Sequence, residues 1–257
     1  MEQPYFLINS VTRTLDIIEY LSKRGEASVS EVSNYLGINM STAHRFLASI
    51  KYFGYAEQNS SNQKYKLSLK VFEVGNRVIE KLDLRDIAKP FMYELADKTG
   101  ETINLGIIDK FNIVYIDKVL SKNVLRLDSP IGGRDKIHAT ALGKAMMAFY
   151  SMDFIERYIN EIGLSKVTDN TIVNKEQFIH ELEKIKRVGY AIDSEETLIG
   201  LKCIAAPIFN RENKPIASIS ISGIKNRVNN ENLEEYKEII LATSKDLSNQ
   251  LGSAISI

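Results

Sequence analysis

Residues 39–55 read NMSTAHRFLASIKYFGY, and this stretch contains no acidic side chain although charged residues make up 26% of the chain. Asn39 is a suitable N-cap, and four apolar residues follow at positions that share one face of a helix: Ala43, Phe46, Leu47 and Ile50. The spacing therefore predicts a helix that buries this face. The exposed face begins with four polar residues: Ser41, Thr42, His44 and Arg45.

Two further helices are predicted before this one. Residues 10–25 (SVTRTLDIIEYLSKRG) place an apolar stripe on one helical face, formed by Val11, Leu15, Ile18 and Leu21. Residues 28–37 (SVSEVSNYLG) begin with Ser28 and Glu31, the signature of a capping box. A turn of about three residues then leads to the third helix. This order is typical of a helix-turn-helix, whose third helix reads the DNA major groove.

A β-hairpin is predicted after the third helix, from YAEQ (55–58) and KYKLS (64–68) around a polar turn, and it would form a wing. Between residues 32 and 72 the only acid is Glu57, whereas five residues are basic: Arg45, Lys51, Lys64, Lys66 and Lys70. Such an excess suits contact with phosphates. We predict that the surface contacting double-stranded DNA comprises Ser41, Thr42, His44, Arg45, Lys51, Lys64 and Tyr65. A winged helix that binds another protein is the alternative.

The rest of the chain predicts a linker helix and a second domain. Helical spacing continues through residues 69–82, which either connect the domains or pack in a dimer. We therefore predict a DNA-binding domain at 1–68, a linker helix at 69–82 and an effector domain at 83–257. Helices are predicted at 85–99, 140–150, 152–161, 174–188 and 231–248. Strands are predicted at 101–109, 112–120, 124–132, 201–209 and 214–223. Strands grouped around a block of helices indicate an α+β domain.

Two places in this domain carry polar groups suited to a ligand. The first is HATALGKAMMAF (138–149), where the free backbone N–H groups at a helix start near Thr140 can receive an anion. The second is SISISG (218–223), where three serines share one strand face close to Cys203 and Asp193. An ordinary helix cap and a solvated serine face with a structural cysteine are equally open interpretations.

Composition excludes several classes. Formal net charge is zero, one cysteine rules out an internal disulfide, and three histidines lack metal-ligand spacing, so no metal and no cofactor is predicted. No nucleotide-binding or hydrolase motif occurs, so a ligand sensor is preferred to an enzyme. The rival hypothesis is an enzyme that uses Cys203 with His138, or the serine strand. Without a long apolar run or a secretory leader, we expect a cytoplasmic protein and no membrane partner.

Three motifs in order, TAHRFLASIKYFGY (42–55), HATALGKAMMA (138–148) and GYAIDSEETLIGLKCIAAPIFNRENKPIASISISG (189–223), resemble the IclR family of bacterial transcriptional regulators. The resemblance spans nearly the whole chain. It implies a GAF-like effector domain, a homodimer or a dimer of dimers (a homotetramer), and a repressor of a palindromic operator. It also implies a small organic-acid or sugar-acid effector, such as 2-keto-3-deoxygluconate or a glyoxylate-like compound. Carried over by motif position, the effector contacts are Thr140, Ala141, Asp193, Cys203, Ser220 and Ser222.

Overall fold

The computed structural model describes residues 7–80, 84–123 and 129–253. The chain divides into two compact units, Met1–Leu82 and Asp83–Ile257. The first unit has one apolar core and the second unit has two.

The first unit is a winged helix-turn-helix. Its elements are α1 (Asn9–Arg24), β1 (Glu26–Ala27), α2 (Val29–Leu36), α3 (Met40–Tyr52), β2 (Ala56–Gln58), β3 (Tyr65–Leu67) and α4 (Leu69–Glu80). Ser28 and Glu31 close the predicted capping box, and the Asn39 side chain accepts from the Thr42 N–H. The hairpin of β2 and β3 gains a third strand because β1 pairs with β3. The sequence prediction missed β1, which has only two residues.

The core of the first unit corrects the predicted face of α1. Ile17 and Leu21 are the buried residues of this helix, whereas Val11 and Leu15 are 52% and 57% exposed. The apolar surface of α1 is wider than the one stripe that its neighbours cover, and helical spacing does not show which side they cover. In α3 the prediction is confirmed, because Ala43, Leu47 and Ile50 are buried.

The second unit is a six-stranded antiparallel sheet with helices on both faces. Its elements are α5 (Leu84–Thr99), β4 (Thr102–Asp109), β5 (Asn112–Val119), β6 (Arg134–Lys136), α6 (Ala141–Met147), α7 (Met152–Glu161), α8 (Lys175–Val188), β7 (Ala191–Ser194), β8 (Leu201–Phe209), β9 (Pro215–Ile224) and α9 (Asn230–Gln250). The strand order is β6-β5-β4-β9-β8-β7. The α+β class, with an N-terminal winged helix and a C-terminal α/β domain, is confirmed.

One predicted strand is wrong where it can be checked. Residues 124–128 of the expected strand 124–132 lie outside the described residues, and residues 129–132 are not a strand. The edge strand is β6, which the sequence prediction missed because its three residues, Arg134–Lys136, are polar. The short strand β7 was also missed.

Strand β9 separates two apolar cores. Ile219 and Ile221 belong to the core that contains residues of α5 and α9, whereas Ser218 and Ser220 lie on the other face of the strand. On that other side, α6, α7 and α8 contribute to the second core, and α6 packs on β8 and β9. The sheet is therefore the middle layer, and the serine face lies beneath α6.

No helix in the described ranges has the length and apolarity that a membrane span requires. The same residues contain no group of three or more histidine, cysteine, aspartate or glutamate side chains that could hold a metal ion.

Candidate functional site

The exposed face of α3 is polar and cationic. Ser41, His44 and Arg45 are exposed and Thr42 is half-buried. The Ser41 hydroxyl donates to the capping side chain of Asn39 at 2.8 Å. Within the described residues, the Arg45 guanidinium has no ion pair or hydrogen bond. It therefore remains available to a phosphate or a base edge.

The wing changes the set of predicted DNA contacts. The prediction that Tyr65 contacts DNA is wrong, because this residue is 2% exposed and belongs to the core of the first unit. Tyr65 lies on the inward side of β3, where side chains alternate between faces. Lys64 Nζ lies 3.7 Å from Glu26 on β1, and Lys51 Nζ donates to the Gln58 side chain at 3.2 Å. The cationic excess is therefore centred on α3.

A cavity of about 320 Å³ lies in the second unit, between α6 and the sheet. Its lining contains all six residues expected at the effector site, which come from four separate parts of the chain: Thr140, Ala141, Asp193, Cys203, Ser220 and Ser222. The volume lies near the lower end of the range for ligand pockets, about 300–1,000 Å³. The structure thus brings the six together.

Strand register explains how distant residues meet here. Cys203 on β8 pairs with Asp193 on β7 and with Ser222 on β9, so the three side chains form one row across three strands. Helix α6 then places Thr140 and Ala141 over that row. Its close approach to the preceding loop requires Gly143, because a Cβ there would lie 2.3 Å from the Ile137 carbonyl oxygen.

The serine face is a buried hydrogen-bonding wall rather than a solvated surface. Ser220 is 1% exposed, and its Oγ lies 3.2 Å from Ser222 Oγ. Asn104 of β4 donates from Nδ2 to Ser222 Oγ at 3.0 Å and reaches Ser220 Oγ at 3.4 Å. Ser218 is occupied elsewhere, donating to the Leu142 carbonyl. Ser220 and Ser222 are therefore the hydroxyls that line the cavity.

Asp193 organises the loop that borders the cavity. Its Oδ1 accepts from the Glu196 N–H at 2.7 Å, and its Oδ2 accepts from the Thr197 hydroxyl at 2.7 Å. The Thr197 hydroxyl also lies 2.8 Å from the Ala139 carbonyl, next to the start of α6. Burial raises the pKa of Asp193, and these hydrogen bonds oppose the rise. Both oxygens of the Asp193 carboxylate therefore already accept hydrogen bonds from the loop.

A buried ion pair joins α6 to the same loop. Lys144 of α6 is fully buried, and its Nζ contacts Glu196 Oε1. Burial raises the pKa of Glu196 to about 7, although the Lys144 ammonium opposes that rise. Glu196 Oε2 is buried without a partner among the described residues. The pair fixes the loop against the helix that covers the cavity.

The geometry offers no support for a thiol nucleophile with a histidine base. Burial raises the pKa of the Cys203 thiol well above its usual value, which disfavours the thiolate. His138 Nδ1 lies 2.6 Å from the Tyr158 hydroxyl and its Nε2 lies 3.0 Å from the Ser165 carbonyl oxygen. Both ring nitrogens are thus engaged with residues outside the cavity lining.

Sequence reasoning missed several residues of the cavity wall. Asn104 lies inside an otherwise apolar strand, and this break in the pattern is a signal that was available. Tyr115 and Asp135 also line the cavity, and the Tyr115 hydroxyl donates to Asp135 Oδ2 at 2.9 Å. Asp135 was missed because β6 was not recognised, and Tyr115, on the predicted strand β5, was missed because its partner Asp135 was not placed beside it.

The Lys144–Glu196 pair predicts a pH dependence of stability. Because the pKa of Glu196 is raised from 4.5 to about 7, the folded protein binds a proton more readily than the unfolded chain in this interval. The contribution of Glu196 therefore makes the free energy of unfolding fall as pH rises from about 4.5 to about 7. Urea denaturation at several pH values in this range, monitored by circular dichroism, measures the effect. The double variant Lys144→Met with Glu196→Gln removes the carboxylate without leaving an unpaired charge, so its free energy of unfolding should change less with pH.

Lys144→Met alone is the matched comparison, since it leaves the Glu196 carboxylate buried and unpaired. Above pH 7 it should lower the free energy of unfolding more than the double substitution does, because the buried carboxyl must either keep its proton or be buried as an unpaired charge. Parallel pH profiles for the wild type and the double variant would contradict the assignment.

Comparison with known proteins gives family matches in both units. Residues 76–249 match the family model described as the C-terminal domain of the bacterial transcriptional regulator IclR, and residues 10–60 match the IclR helix-turn-helix domain. The first match alone covers more than half of the chain.

Similar proteins are transcriptional regulators. The HTH-type transcriptional regulator KdgR of Escherichia coli strain K12 is 36% identical over 95% of this chain and 93% of its own length. KdgR of Dickeya chrysanthemi is 35% identical over 95% of this chain and 80% of its own. These relatives confirm the prediction of a regulator rather than an enzyme.

A solved structure agrees in fold and sequence. The crystal structure of IclR from Thermotoga maritima matches with a TM-score of 0.84 and 32% identity, over 95% of this chain and 99% of that one. The chain therefore belongs to the IclR family of bacterial transcriptional regulators and carries a DNA-binding helix-turn-helix domain.

Proposed function

We propose that this protein is a transcriptional repressor whose affinity for its operator changes when a small organic or sugar acid binds in the 320 Å³ cavity. One observation carries the proposal: the six residues expected at an effector site, from four parts of the chain, line this one cavity. DNA binding itself follows from the family and its helix-turn-helix domain.

The chemistry of the wall suits an oxygen-rich anion. Ser220 and Ser222 present hydroxyl donors, and the first N–H groups of α6 lack intrahelical acceptors. Asn104 Nδ2 donates to the serine oxygens and one serine hydroxyl donates to the other, so one of the two serine protons remains for another acceptor. The Cys203 side chain shapes the wall. A carboxylate of the effector is thus placed against the serines and the helix start.

Loop residues 195–200 offer a route from the cavity to the rest of the domain. Thr197 and Leu198 line the cavity, while Glu196 is held by Asp193 and Lys144. An effector that contacts Thr197 therefore acts on a loop already tied to α6. A coupling of roughly 1–3 kcal/mol between effector and operator changes affinity about 5- to 150-fold, enough for a switch.

On the DNA side, α3 is the base-reading element of the proposal. Ser41, Thr42, His44 and Arg45 lie in its first turns, and Lys51 and Lys64 are assigned to phosphates. We retain α4 as the linker between a DNA-binding domain of residues 1–68 and an effector domain of residues 83–257.

The proposed assembly is a homodimer, or a pair of such dimers. Large apolar side chains of α1 and α4 are 52–79% exposed, and burying them against a second copy would stabilise association: Val11, Leu15, Leu69 and Phe72. Two copies also match the two half-sites of a palindromic operator.

Introducing a charge at this apolar surface should weaken the dimer. Leu15→Glu with Phe72→Glu places carboxylates where a partner would exclude water, so sedimentation velocity should show a shift towards monomer. Val173→Glu, at an exposed apolar residue of the second unit, is the control. An unchanged sedimentation coefficient in the double variant would exclude this surface.

Arg45→Ala should weaken binding to the operator by roughly 5- to 150-fold, because a guanidinium contact with a guanine contributes about 1–3 kcal/mol. Mobility-shift titrations at fixed salt measure the effect. Arg187→Ala removes the same charge from an exposed position on α8 and should leave affinity unchanged. If Arg45→Ala binds the operator like wild type, Arg45 has no part in recognition.

Ser220→Ala with Ser222→Ala should reduce effector affinity at least about tenfold, since hydrogen bonds to a charged group contribute about 1.5–3 kcal/mol. Calorimetry on the full-length protein with a panel of organic and sugar acids is the measurement. Ser151→Ala on the exposed α7 cap is the control substitution. An acid that releases the operator yet binds the double variant with wild-type affinity would place the effector elsewhere.

A further inference from the structure

The described lining of the cavity contains carboxylates but no lysine or arginine. Asp193 is at the β7 end of the sheet and Asp135 is on β6 at the other end. Ser220 and Ser222 lie between them on β9. An acid effector therefore finds its donors in the middle of the wall, and its carboxylate is repelled from both ends.

The two aspartates differ in what they still offer a ligand. Asp193 is 1% exposed and already accepts from the Glu196 N–H and the Thr197 hydroxyl. Asp135 is half-buried, and only its Oδ2 is occupied, by the Tyr115 hydroxyl at 2.9 Å. No donor from the described part of the chain reaches Asp135 Oδ1. Asp135 lines the cavity, and its Oδ1 is left as a free acceptor.

The hydrogen bond between Tyr115 and Asp135 has a fixed donor and a fixed acceptor. The phenol donates to the carboxylate, and burial together with the Asp135 charge raises the pKa of Tyr115, so the hydroxyl keeps its proton. A hydroxyl group on the ligand can donate to Asp135 Oδ1 or Tyr115 Oη, whereas a ligand carboxylate cannot donate to either.

Strand spacing sets the length of a ligand that reaches both regions. Asp135 on β6 and the serines on β9 are separated by β5 and β4, which makes three strand spacings, about 14 Å at the usual spacing. Side chains and hydrogen bonds of about 2.8 Å at each end close part of that gap. A longer carbon chain therefore covers more of that distance than a two- or three-carbon acid held by the serines.

Building on the proposed function, we propose that Asp135 and Tyr115 recognise a hydroxyl group of the effector and so select an acid with a hydroxylated carbon chain over a short keto acid. Ser220 and Ser222 hold the carboxylate end. Asp135 holds the hydroxyl end and is the specificity-determining residue.

Calorimetry on the full-length protein tests this assignment with three probes: 2-keto-3-deoxygluconate, gluconate and pyruvate. Wild type should bind at least one six-carbon acid at least about tenfold more tightly than pyruvate. Asp135→Asn should lower that affinity about tenfold or more and leave pyruvate within about twofold, because a charged acceptor is lost only from the hydroxyl end. Retained pyruvate binding also shows that the variant is folded.

Tyr115→Phe keeps the ring and removes the hydroxyl, so it should lower six-carbon acid affinity severalfold and spare pyruvate. Asp246→Asn and Tyr93→Phe make the same changes at exposed positions on α9 and α5 and should change neither affinity. The inference is overturned if Asp135→Asn leaves the ratio of six-carbon-acid affinity to pyruvate affinity unchanged. It is also overturned if the wild type binds pyruvate as tightly as it binds the six-carbon acids.

The proposed function fails in a different way. If none of the acids binds, or if binding is indifferent to Ser220→Ala with Ser222→Ala, the cavity is not the acid site and both proposals fall. If binding depends on the serines but Asp135→Asn leaves the ratio of six-carbon-acid affinity to pyruvate affinity unchanged, the effector site stands and only the hydroxyl assignment is lost.

Discussion

The second unit depends on the alternation of side chains along β9, the strand between β4 and β8. Its isoleucines enter the core shared with α5 and α9, and its serines face α6. Hydroxyls in such a position must be hydrogen-bonded to be tolerated. Ser218 donates to the α6 backbone, and Ser220 and Ser222 contact Asn104. The polar cavity is therefore supported by an apolar core directly behind it.

Electrostatics then decide what the cavity accepts. The Lys144 ammonium is paired with Glu196, and the described cavity lining contains no lysine or arginine, so its charged groups are the carboxylates of Asp135 and Asp193. In the proposed site, neutral donors hold the acid at a smaller desolvation cost than a buried ion pair would impose. The wall is thus suited to reversible binding of a metabolite, which a regulator requires.

The first unit shows how far local pattern carries a prediction. The caps at Ser28 and Asn39 and the buried residues of α3 follow from short-range rules, and the structure has them as expected. The exposure of Val11 and Leu15 does not follow from such rules, whereas the burial of Tyr65 agrees with the alternation of side chains along β3. Which apolar stripe is covered depends on neighbours that are distant in sequence.

The sequence by itself determined the order of domains, most helices and strands, and the motifs that mark the family, since periodicity and capping are local properties. It did not predict β6, the Lys144–Glu196 pair or the access of Asp135 to the cavity. Those features arise from strand register and from packing between residues far apart in the chain. Only the tertiary structure placed Asp193, Cys203 and Ser222 in one row, because antiparallel pairing aligns residues that sequence distance separates.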